Sequence, residues 1–347
     1  MKTQFALFKI ILISGCFVFL FACEKDDVKK NTTNLTNVYE NTTLDSSKVY
    51  IVDEAVQVEA TLIISPGTVI KFTSGKRIDI NAGGSVQAIG TSEAPIIFTS
   101  IKDDSYKGDT NEDGKISSPA VKDWGCVIAA GDLSTFTHCK FLYGGGFGDH
   151  TATLEAKGEV IITDCVFAHN YGGELDDNTN GALYLIATAL SSVVTNNTFF
   201  DNRIPVTIDV NYSFGSSNIF HDPDMPTLTN TFNGIFVSGY TMNHNVNWSE
   251  NEVPYVATGH IGIDDGYSLT LQSDVVIKMY QDTRIDIIAN GVLNHNGAII
   301  TSFRDDSALG DTNGDGASTT ATTGDWVGVN LGYGDYMHGD NIRYALH

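Results

Sequence analysis

Basic residues are scarce in this sequence. Its 347 residues include 20 Lys and Arg against 42 Asp and Glu, which gives a formal net charge of −22. Proteins that bind nucleic acids or anionic membrane surfaces carry clustered Lys and Arg, because those partners are polyanions. The charge balance therefore argues against both classes of partner. It favours a protein that binds cations, or one whose charge keeps it soluble outside the cell.

Cysteine is also scarce. The five cysteines stand at positions 16, 23, 126, 139 and 165, and they form neither a CxxC motif nor a Cys/His cluster with metal-ligand spacing. This pattern argues against a zinc or redox site. Cys139 and Cys165 occupy matching places in two successive strand motifs, so we expect two stacked thiols in the core. A disulfide between them is the alternative, and it depends on their geometry.

The sequence has one long apolar run, from Ile10 to Phe21, which follows Lys2 and Lys9. A helix of this length is too short to span a bilayer core of about 30 Å comfortably. We therefore interpret residues 1–22 as a secretion signal.

The end of this signal, LFAC with Cys23 as its last residue, resembles the lipobox of bacterial lipoproteins. In that family the Cys is lipidated and becomes the first residue of the mature chain. The resemblance implies that Cys23 carries the lipid, and each acyl CH₂ group buried in a bilayer contributes about 0.8 kcal/mol. The alternative is an ordinary secretion signal that a Cys follows by chance.

Residues 23–48 are polar and lack periodicity, so they predict a flexible tether. The motif EKDD, from Glu24 to Asp27, looks like the surface-export signal of lipoproteins in one Gram-negative phylum. That resemblance implies a lipoprotein of the outer membrane that is exposed on the cell surface.

A long stretch of the chain occurs twice. The segment from Val69 to Trp124 recurs, with a short deletion, from Val276 to Trp326. No helical period is present in either copy. Apolar and polar residues alternate between glycines, which is typical of short strands joined by turns. Repetition on this scale determines the fold.

A second pattern lies between the two copies. Strand motifs that end in Phe141, Phe167, Phe199 and Phe220 follow one another at intervals of about twenty to thirty residues. A strand that returns at such intervals predicts a coil of parallel strands in which like side chains stack. We expect the phenylalanines to form one column in the core. We expect Asn196, Asn197 and Asn218 to form an amide ladder.

These motifs resemble the right-handed parallel β-helix family of secreted and surface proteins. The segments PGTVIKF, GGSVQAIGT, PIIFTS and DW look like its surface lipoprotein members in particular. The resemblance implies an all-β, pectate-lyase-like solenoid with a duplicated strand module and loop insertions. It does not define the function, because the scaffold carries lyases, glycosidases, adhesins and proteins without activity.

The sequence thus divides into four parts: a signal peptide at 1–22, a tether at 23–48, a first module with central coils at 49–252, and a second module at 253–347. The last strand motif, from Asn341 to Tyr344, is followed by only three residues. A solenoid normally ends in a polar cap. We therefore expect that the second module is truncated.

Each module contains an acidic loop, DTNEDGK in the first and DTNGDGA in the second. Oxygen side chains at positions 1, 3 and 5 with Gly at 6 resemble the first half of an EF-hand calcium loop. The usual carboxylate at position 12 is missing, and an Asp three residues later takes its place. The predicted ligands of the first site are Asp109, Asn111, Asp113, the carbonyl of Lys115 and Asp123. Those of the second site are Asp311, Asn313, Asp315, the carbonyl of Ala317 and Asp325.

We expect Ca²⁺ at these loops because dense negative charge repels itself unless a cation neutralises it. An affinity on the order of 10⁻⁴ to 10⁻³ M is typical of extracellular modules. The alternative is a loop whose carboxylates accept hydrogen bonds from nearby N–H groups. Two further pairs, Asp103-Asp104 and Asp305-Asp306, can add ligands, but we favour a role for them in capping a strand end.

Candidates for catalysis are weak. Glycosidases use two carboxylates, but Asp176-Asp177 and Asp264-Asp265 are sequence neighbours that face opposite ways on a strand. A lyase needs a base such as Arg, and Arg203 is the one Arg between the two modules. We interpret the Asp pairs as charged loops and Arg203 as a turn residue, and we assign no catalytic residue.

We therefore expect a non-catalytic, calcium-stabilised β-helix that presents a strand face to glycans or proteins. Tyr143, Tyr171, Tyr212 and Tyr240, near glycine-rich turns, either stack on sugar rings or pack at the core. A polysaccharide lyase or glycosidase acting on acidic polysaccharide is the first alternative. A purely structural surface element is the second.

Overall fold

A computed structural model describes residues 31–175, 179–186 and 189–347 of the chain. These residues form 33 strands, numbered here in chain order, and no α-helix. Consequently no helix in the described ranges is long and apolar enough to cross a membrane. The predicted all-β, right-handed parallel β-helix is confirmed. Right-handed crossovers are the rule between parallel strands, because a right-twisted strand packs back onto its sheet only in that sense.

Three parallel sheets run along the first part of the solenoid, with strands stacked in chain order. Sheet A contains β1 (Thr32–Asn34), β3 (Val49–Val52), β6 (Val69–Phe72), β9 (Ile96–Ser100), β12 (Cys139–Leu142), β15 (Val166–Ala168) and β18 (Thr198–Phe200). Sheet B contains β4 (Val56–Val58), β7 (Ile78–Ile80), β10 (Val127–Ala129), β13 (Leu154–Ala156), β16 (Leu183–Leu185), β19 (Val206–Asp209), β22 (Ile235–Ser238), β25 (Tyr255–Ala257), β28 (Val276–Met279) and β31 (Ile299–Ser302). Sheet C contains β2 (Thr42–Leu44), β5 (Thr61–Ile64), β8 (Ser85–Ile89), β11 (Ser134–Thr137), β14 (Val160–Thr163) and β17 (Val193–Thr195).

Two shorter sheets replace A and C further along the chain. Sheet D contains β24 (Val246–Trp248), β27 (Ser268–Leu271) and β30 (Val292–Asn294). Sheet E contains β23 (Thr241–Met242), β26 (Ile261–Ile263), β29 (Arg284–Ile287) and β32 (Gly328–Gly332), with β33 (Asp335–Tyr336) antiparallel at its edge. A hairpin of β20 (His221–Asp222) and β21 (Met225–Thr229) projects between β19 and β22.

The solenoid begins earlier than the sequence predicts. Strands β1 and β2 lie inside the segment interpreted as a flexible tether, and β1 pairs with β3 while β2 pairs with β5. Leu35, Val38 and Leu44 are buried in the core. The tether prediction is therefore wrong for residues 31–48, because three apolar side chains among many polar ones are enough to dock a coil on its neighbour. The signal peptide, Cys23 and the EKDD motif lie outside the described residues.

The two sequence modules occupy different faces of the solenoid. In the first module β6, β7, β8 and β9 lie in sheets A, B, C and A, respectively. In the second module β28, β29, β30 and β31 lie in sheets B, E, D and B, respectively. The second copy is therefore advanced by one face. Sheet B runs through both modules without a break, so the sequence boundary near 252 does not interrupt the coil.

Aromatic rings form a continuous column in the core of sheet A. Phe98, Phe141, Phe167, Phe199 and Phe220 stack in this order, with ring centroids separated by 4.7, 4.9, 5.0 and 5.4 Å. These separations match the spacing of about 4.7–4.9 Å between neighbouring strands. The predicted column is confirmed. It exists because parallel in-register pairing places the same strand position directly over itself in every coil.

Two asparagine ladders brace the corners on either side of this column. Asn197 donates its amide hydrogen to Asn218 at 3.0 Å, as predicted. A second ladder, which the sequence analysis missed, joins Asn170, Asn202 and Asn230 through bonds of 2.9 Å each. The ladders are buried and bond main-chain carbonyls as well, so each side chain satisfies main-chain groups that a corner leaves unpaired.

Asn196 does not join a ladder. It occupies a left-handed corner with φ of 59°, in the same place as His138 and Asp164 in the preceding coils. Asn, Asp and His tolerate this conformation better than most residues. The predicted role of Asn196 is therefore wrong, because the corner turns its side chain away from the column of amides.

Cys139 and Cys165 are free thiols buried in the core. The amide of Cys139 donates to the sulfur of Cys165 at 3.4 Å, so the residues stack as the main interpretation expected and the disulfide alternative is wrong. Burial raises the pKa of the Cys139 thiol well above its ordinary value. The thiol is therefore a packing group without nucleophilic character.

Truncating the middle of the aromatic column tests how much the column contributes. Phe167→Ala removes a fully buried ring with a stacked neighbour on each side, and we expect the free energy of unfolding to fall by about 3–5 kcal/mol. Urea denaturation measures this free energy of unfolding. Val193→Ala, at a side chain that is 41% exposed in β17, serves as the control and should stay within about 0.5 kcal/mol of the parent. A loss from Phe167→Ala no larger than that of the control would contradict the stacking argument.

One buried carboxyl makes stability depend on pH. Glu250 lies in the core beside Tyr255, and burial raises its pKa to about 7 although the amides of Glu252 and Asn251 oppose the rise. Its second carboxylate oxygen has no hydrogen-bond partner. The folded state therefore holds a proton on Glu250 that the unfolded state releases near pH 4.5.

Between pH 4.5 and 7 the folded protein binds more protons than the unfolded chain at Glu250, so this group makes stability fall as pH rises. We expect Glu250→Gln to remove that part of the pH dependence and to be relatively more stable at pH 7.5 than at pH 4.5. Melting temperatures across this range, compared with those of the exposed-site variant Glu54→Gln, provide the measurement. Parallel curves for Glu250→Gln and the parent would exclude the shifted pKa.

Candidate functional site

Each module carries an acidic loop outside the coil. Loop 1 comprises residues 101–126 between β9 of sheet A and β10 of sheet B, and loop 2 comprises residues 303–327 between β31 of sheet B and β32 of sheet E. Because the second module is advanced by one face, loop 1 leaves from sheet A and loop 2 leaves from sheet B.

A buried lysine supports the base of each loop. Lys71 points outward from β6 and donates to the carbonyls of Asp103 and Gly108 and to the Thr110 hydroxyl, at 2.8–2.9 Å. Lys278 makes the equivalent bonds to the Gly310 carbonyl and Thr312 hydroxyl, at 2.6 and 2.9 Å. An unpaired buried ammonium is costly, so the loop main chain must stay over the lysine.

Asp103 and Asp305 cap the ends of β9 and β31. The Asp103 carboxylate accepts hydrogen bonds from the Thr99 hydroxyl at 2.7 Å and from the Ser105 amide at 3.0 Å. Asp305 accepts the matching bonds from Thr301 and Ser307. This is the capping role that the sequence analysis favoured for both aspartate pairs, and it holds for the first member of each.

The loop carboxylates accept main-chain hydrogen bonds. In loop 1 Asp109 accepts from the amides of Asp113 and Gly114, at 3.1 and 2.8 Å. Asp113 accepts from the amides of Ile116 and Ser117, at 3.2 and 3.1 Å. These bonds match the alternative to a calcium site, a loop whose carboxylates accept hydrogen bonds from nearby N–H groups. They fix the loop conformation and leave each carboxylate with further lone pairs.

Three carboxylates of loop 2 converge. One oxygen from each of Asp306, Asp311 and Asp315 lies within 4.8 Å of the others, close enough for all three to contact one ion. One carboxylate oxygen of Asp306 is shielded from solvent and has no hydrogen-bond partner. In loop 1 the same is true of Asp104, the counterpart of Asp306, and of the side-chain oxygen of Asn111.

The pKa values of these inner aspartates reflect their surroundings. Burial raises the pKa of Asp104, and the neighbouring Asp109 and Asp113 carboxylates add to the rise while Lys71 opposes it. Asp306 shows the same shift for the same reasons, with Asp311, Asp315 and Lys278 as its neighbours. A cation among these carboxylates would relieve their mutual repulsion.

Asp123 and Asp325 do not close the predicted ligand sets. Asp123 accepts from the Ser100 hydroxyl, the Lys102 ammonium and the Ala120 amide, at 2.7–2.9 Å. Asp325 is held in the same way by Ser302, Thr322 and Arg304. Burial alone would raise the pKa of Asp325, but the bonds from Ser302 and Thr322 outweigh it and lower the pKa. Both residues clamp the loop base, so Asp104 and Asp306 replace them as candidate ligands.

The remaining predicted ligands lie at the loop tips. Gly114 and Gly316 adopt φ of 77° and 76°, the left-handed turn expected at position 6 of a calcium loop. Lys115 and Ala317 follow these glycines at exposed positions. Asn111 and Asn313 donate to Asp113 and Asp315, respectively, at 2.9 and 3.0 Å, which turns each amide oxygen away from its acidic neighbour. All of the candidate donors in these loops are oxygen atoms, the type of ligand that Ca²⁺ takes in proteins.

Sheet B presents an outward row of side chains along both modules. In strand order from β4 to β31 the register aligns Gln57, Asp79, Ile128, Glu155, Tyr184, Thr207, Phe236, Val256, Lys278 and Thr301. Loop 2 lies against the end of this row, where Thr312 and Gly314 approach Gly234 and Phe232. The open part of the row therefore runs from Gln57 to Thr207.

The first half of the open row is charged. Asp79 accepts from the Arg77 guanidinium at 2.9 Å, and Glu155 accepts from the Lys157 ammonium at 2.9 Å and from Nδ1 of His150 at 2.7 Å. The side chain of Glu155 is 5% exposed, whereas those of Lys157 and His150 are 37% and 38% exposed. The carboxylate lies beneath its cationic partners, so solvent meets the cations first.

The second half of the open row is uncharged. Tyr184, Thr207 and Ser238 lie across three neighbouring strands beside Thr179 and Asn180, and together with Thr258 they enclose a groove of about 160 Å³. Phe236 and Val237 form its floor. Among the described residues that line this groove none carries a charge.

The candidates for catalysis do not assemble in the described part of the chain. Asp176 and Asp177 lie outside the described residues. Arg203 contacts the Glu174 carboxylate and places its guanidinium 5.0 Å from the centre of the Phe232 ring. Asp264 and Asp265 lie in a turn, where Asp265 accepts from Asn290 at 2.9 Å. These contacts agree with the structural interpretation of Arg203 and of the 264–265 pair.

The aromatic residues singled out from the sequence are divided between core and surface. Tyr171 and Tyr212 are buried, while Tyr240 is exposed and donates to Asp286 at 3.0 Å. Tyr184, a further partly exposed tyrosine, was not predicted from the sequence. The signal was the alternation Leu183-Tyr184-Leu185, in which the middle residue of an otherwise apolar strand must face outward.

Comparison with known families agrees with this architecture. A family model described as a pectate-lyase-like beta helix domain matches residues 36–188, which cover the first coils, loop 1 and the charged half of the open row. No curated protein and no solved structure is matched by the chain. The family similarity begins inside the segment that was interpreted as a tether, in agreement with the early start of the coil.

Proposed function

We propose that this protein is a non-catalytic, surface-exposed β-helix that binds glycans along the open row of sheet B and is stabilised by Ca²⁺ at loops 1 and 2. The observation that carries the proposal is the row itself. It is continuous over six strands from β4 to β19, is held rigidly by the parallel register, and displays charged and hydroxyl groups in sequence. Rigid strand faces bind with little loss of conformational entropy.

The fixed state of the carboxylates supports binding over catalysis. A general acid or base must exchange its proton during the reaction. Asp79 and Glu155 are both held in ion pairs, Asp79 with Arg77 and Glu155 with Lys157, so both carboxylates are already engaged by cationic side chains.

Calcium would be held by Asp104, Asp109 and Asp113 in loop 1 and by Asp306, Asp311 and Asp315 in loop 2, with Asn111 and Asn313 beside them. The converging carboxylates of loop 2 and the unpartnered oxygens of Asp104 and Asp306 support this assignment. Burial is the main cause of the raised pKa of both residues, and bound Ca²⁺ would neutralise the carboxylate repulsion that adds to it.

Calorimetric titration with CaCl₂ tests the metal assignment. We expect two sites, with a dissociation constant on the order of 10⁻⁴ to 10⁻³ M and a higher melting temperature in calcium than in chelator. Asp104→Asn with Asp109→Asn should remove one site, and Asp306→Asn with Asp311→Asn the other. Glu112→Gln in loop 1 is the matched control and should keep both.

Asp123→Asn and Asp325→Asn distinguish the two possible ligand sets. If Asp104 and Asp306 are the ligands, both variants lower the melting temperature but leave two calcium sites. Loss of a site in either variant would restore the set first predicted from the sequence. Absence of heat together with an unchanged melting temperature would remove calcium from the proposal.

A second candidate function is a polysaccharide lyase or glycosidase that acts on acidic polysaccharide. His150 favours it, because Glu155 bonds Nδ1 of the ring and so orients the other ring nitrogen for proton transfer. Arg77 and Lys157 are placed nearby to neutralise a substrate carboxylate. The similarity to pectate-lyase-like proteins is consistent with this candidate.

One experiment separates these functions. The purified protein is incubated in calcium with acidic and uncharged polysaccharides, and both retention on the polysaccharide and release of unsaturated products or reducing ends are followed. We expect retention without cleavage. Turnover that His150→Ala abolishes would establish the enzyme, and neither retention nor turnover would leave the third alternative, a structural element.

We further propose that the chain is attached to the outer membrane through a lipid on Cys23 and faces the exterior. The lipobox-like LFAC and the following EKDD support this location. Metabolic labelling with a tagged fatty acid tests it, since Cys23→Ala should lose the label. Persistence of the label in that variant would exclude Cys23 as the attachment point.

A further inference from the structure

We propose that the uncharged groove at Tyr184 is a subsite for a neutral sugar residue of the glycan, and that it disfavours uronates and sulfated sugars. This inference rests on the proposed function and identifies the ligand class at one part of the same face. The groove has a volume of about 160 Å³, which limits it to a small ligand group such as one sugar ring.

Apart from that of Tyr184, the partly exposed hydroxyl groups of the groove already use their protons. Thr179 donates to the carbonyl of Glu174 at 3.0 Å, Ser238 donates to the carbonyl of Ile208 at 3.2 Å, and Thr258 donates to the carbonyl of Val237 at 3.4 Å. A hydroxyl that has donated its proton retains lone pairs that accept. The groove therefore offers acceptors, and it complements the hydroxyl donors of a sugar.

A carboxylate or sulfate has only acceptor oxygens, and apart from the Tyr184 hydroxyl it would meet acceptors in this groove rather than donors. No Lys or Arg is among the described residues that line it. Glu155 and Asp209 both add to the rise that burial causes in the pKa of Tyr184, while Ser238 opposes it. The described lining of the groove therefore supplies no cation with which an anionic ligand could pair.

Tyr184 supplies the aromatic surface. It stands between Glu155 and Thr207 in the outward row, and it is the one aromatic among the groove residues that is partly exposed, because Phe236 is buried beneath. Sugar rings have apolar C–H faces, and an aromatic ring with a polar tip can pack against such a face while its hydroxyl stays hydrated. Tyr184 thus orients the sugar ring, and the threonine and serine oxygens accept hydrogen bonds from the hydroxyl groups of the sugar.

The test uses affinity electrophoresis of the full protein in calcium through gels that contain one polysaccharide each. The uncharged probes are laminarin, galactomannan and arabinoxylan, and the acidic probes are polygalacturonate, alginate and chondroitin sulfate. We expect retardation by at least one uncharged probe. Tyr184→Ala should weaken it by about tenfold or more, and Thr258→Val, which keeps the shape but removes the acceptor, by about threefold.

Two controls show that a loss reflects the groove. Tyr184→Phe keeps the ring and should retain most of the binding, and Tyr267→Ala removes an exposed tyrosine next to β27 of sheet D and should bind like the parent. Melting temperatures identify any variant that fails to fold, and Thr258→Val then carries the test.

Three results overturn the inference. If acidic probes alone retard the protein and His150→Ala weakens that binding while Tyr184→Ala does not, the neutral subsite is wrong but the glycan-binding function stands. If Tyr184→Ala and Thr258→Val bind an uncharged probe as the parent does, the ligand lies elsewhere. Absence of binding to all six probes counts against the proposed function itself, and the subsite fails with it.

Discussion

In-register stacking of identical strand positions is the constraint on which the rest of the structure depends. A parallel β-helix has no local hairpins to define its pairing, so each coil must find its register by matching the coil before it. The column from Phe98 to Phe220 does this with rings that are 4.7–5.4 Å apart. A slip of one residue would reverse the faces of the strand and place these rings in solvent. The aromatic column therefore selects the register, and the asparagine ladders then satisfy the corners that this register creates.

The same constraint organises the outer surface. Once inward positions are aligned, outward positions are aligned too, and residues far apart in sequence become neighbours. Asp79 and Glu155 belong to strands separated by one strand, about 10 Å apart. Loops 1 and 2 are held differently, by Lys71 and Lys278, whose ammonium groups organise the main chain at the root of each loop. The solenoid thus combines a rigid face that strand pairing fixes with acidic loops that buried lysines hold in place.

The fold was predictable from the sequence because repetition carries the information. The duplicated module, the recurring Phe motifs and Cys139 with Cys165 all implied stacking, and the structure confirms them. The first coil was missed because Leu35, Val38 and Leu44 are isolated among polar residues, and the sequence alone shows no partner for them. Of the candidate site, the acidic loops were predicted, but Asp123 is bonded at the loop base and Asp104 lies near the carboxylates of Asp109 and Asp113. Sequence spacing does not show which carboxylate is taken by Ser100 and Lys102. Tyr184 and Glu155 were missed because their importance arises from neighbours in other coils.

The advance of the second module by one face has a geometric consequence for assembly. Loops of nearly the same sequence leave the axis in different directions, one from sheet A and one from sheet B. The two loops therefore cross different corners of the coil, loop 1 between sheets A and B and loop 2 between sheets B and E. Duplication along a straight rod would have produced two equivalent contact points on one side. Here the partial turn between the copies makes them independent, so each can diverge in what it meets without altering the other.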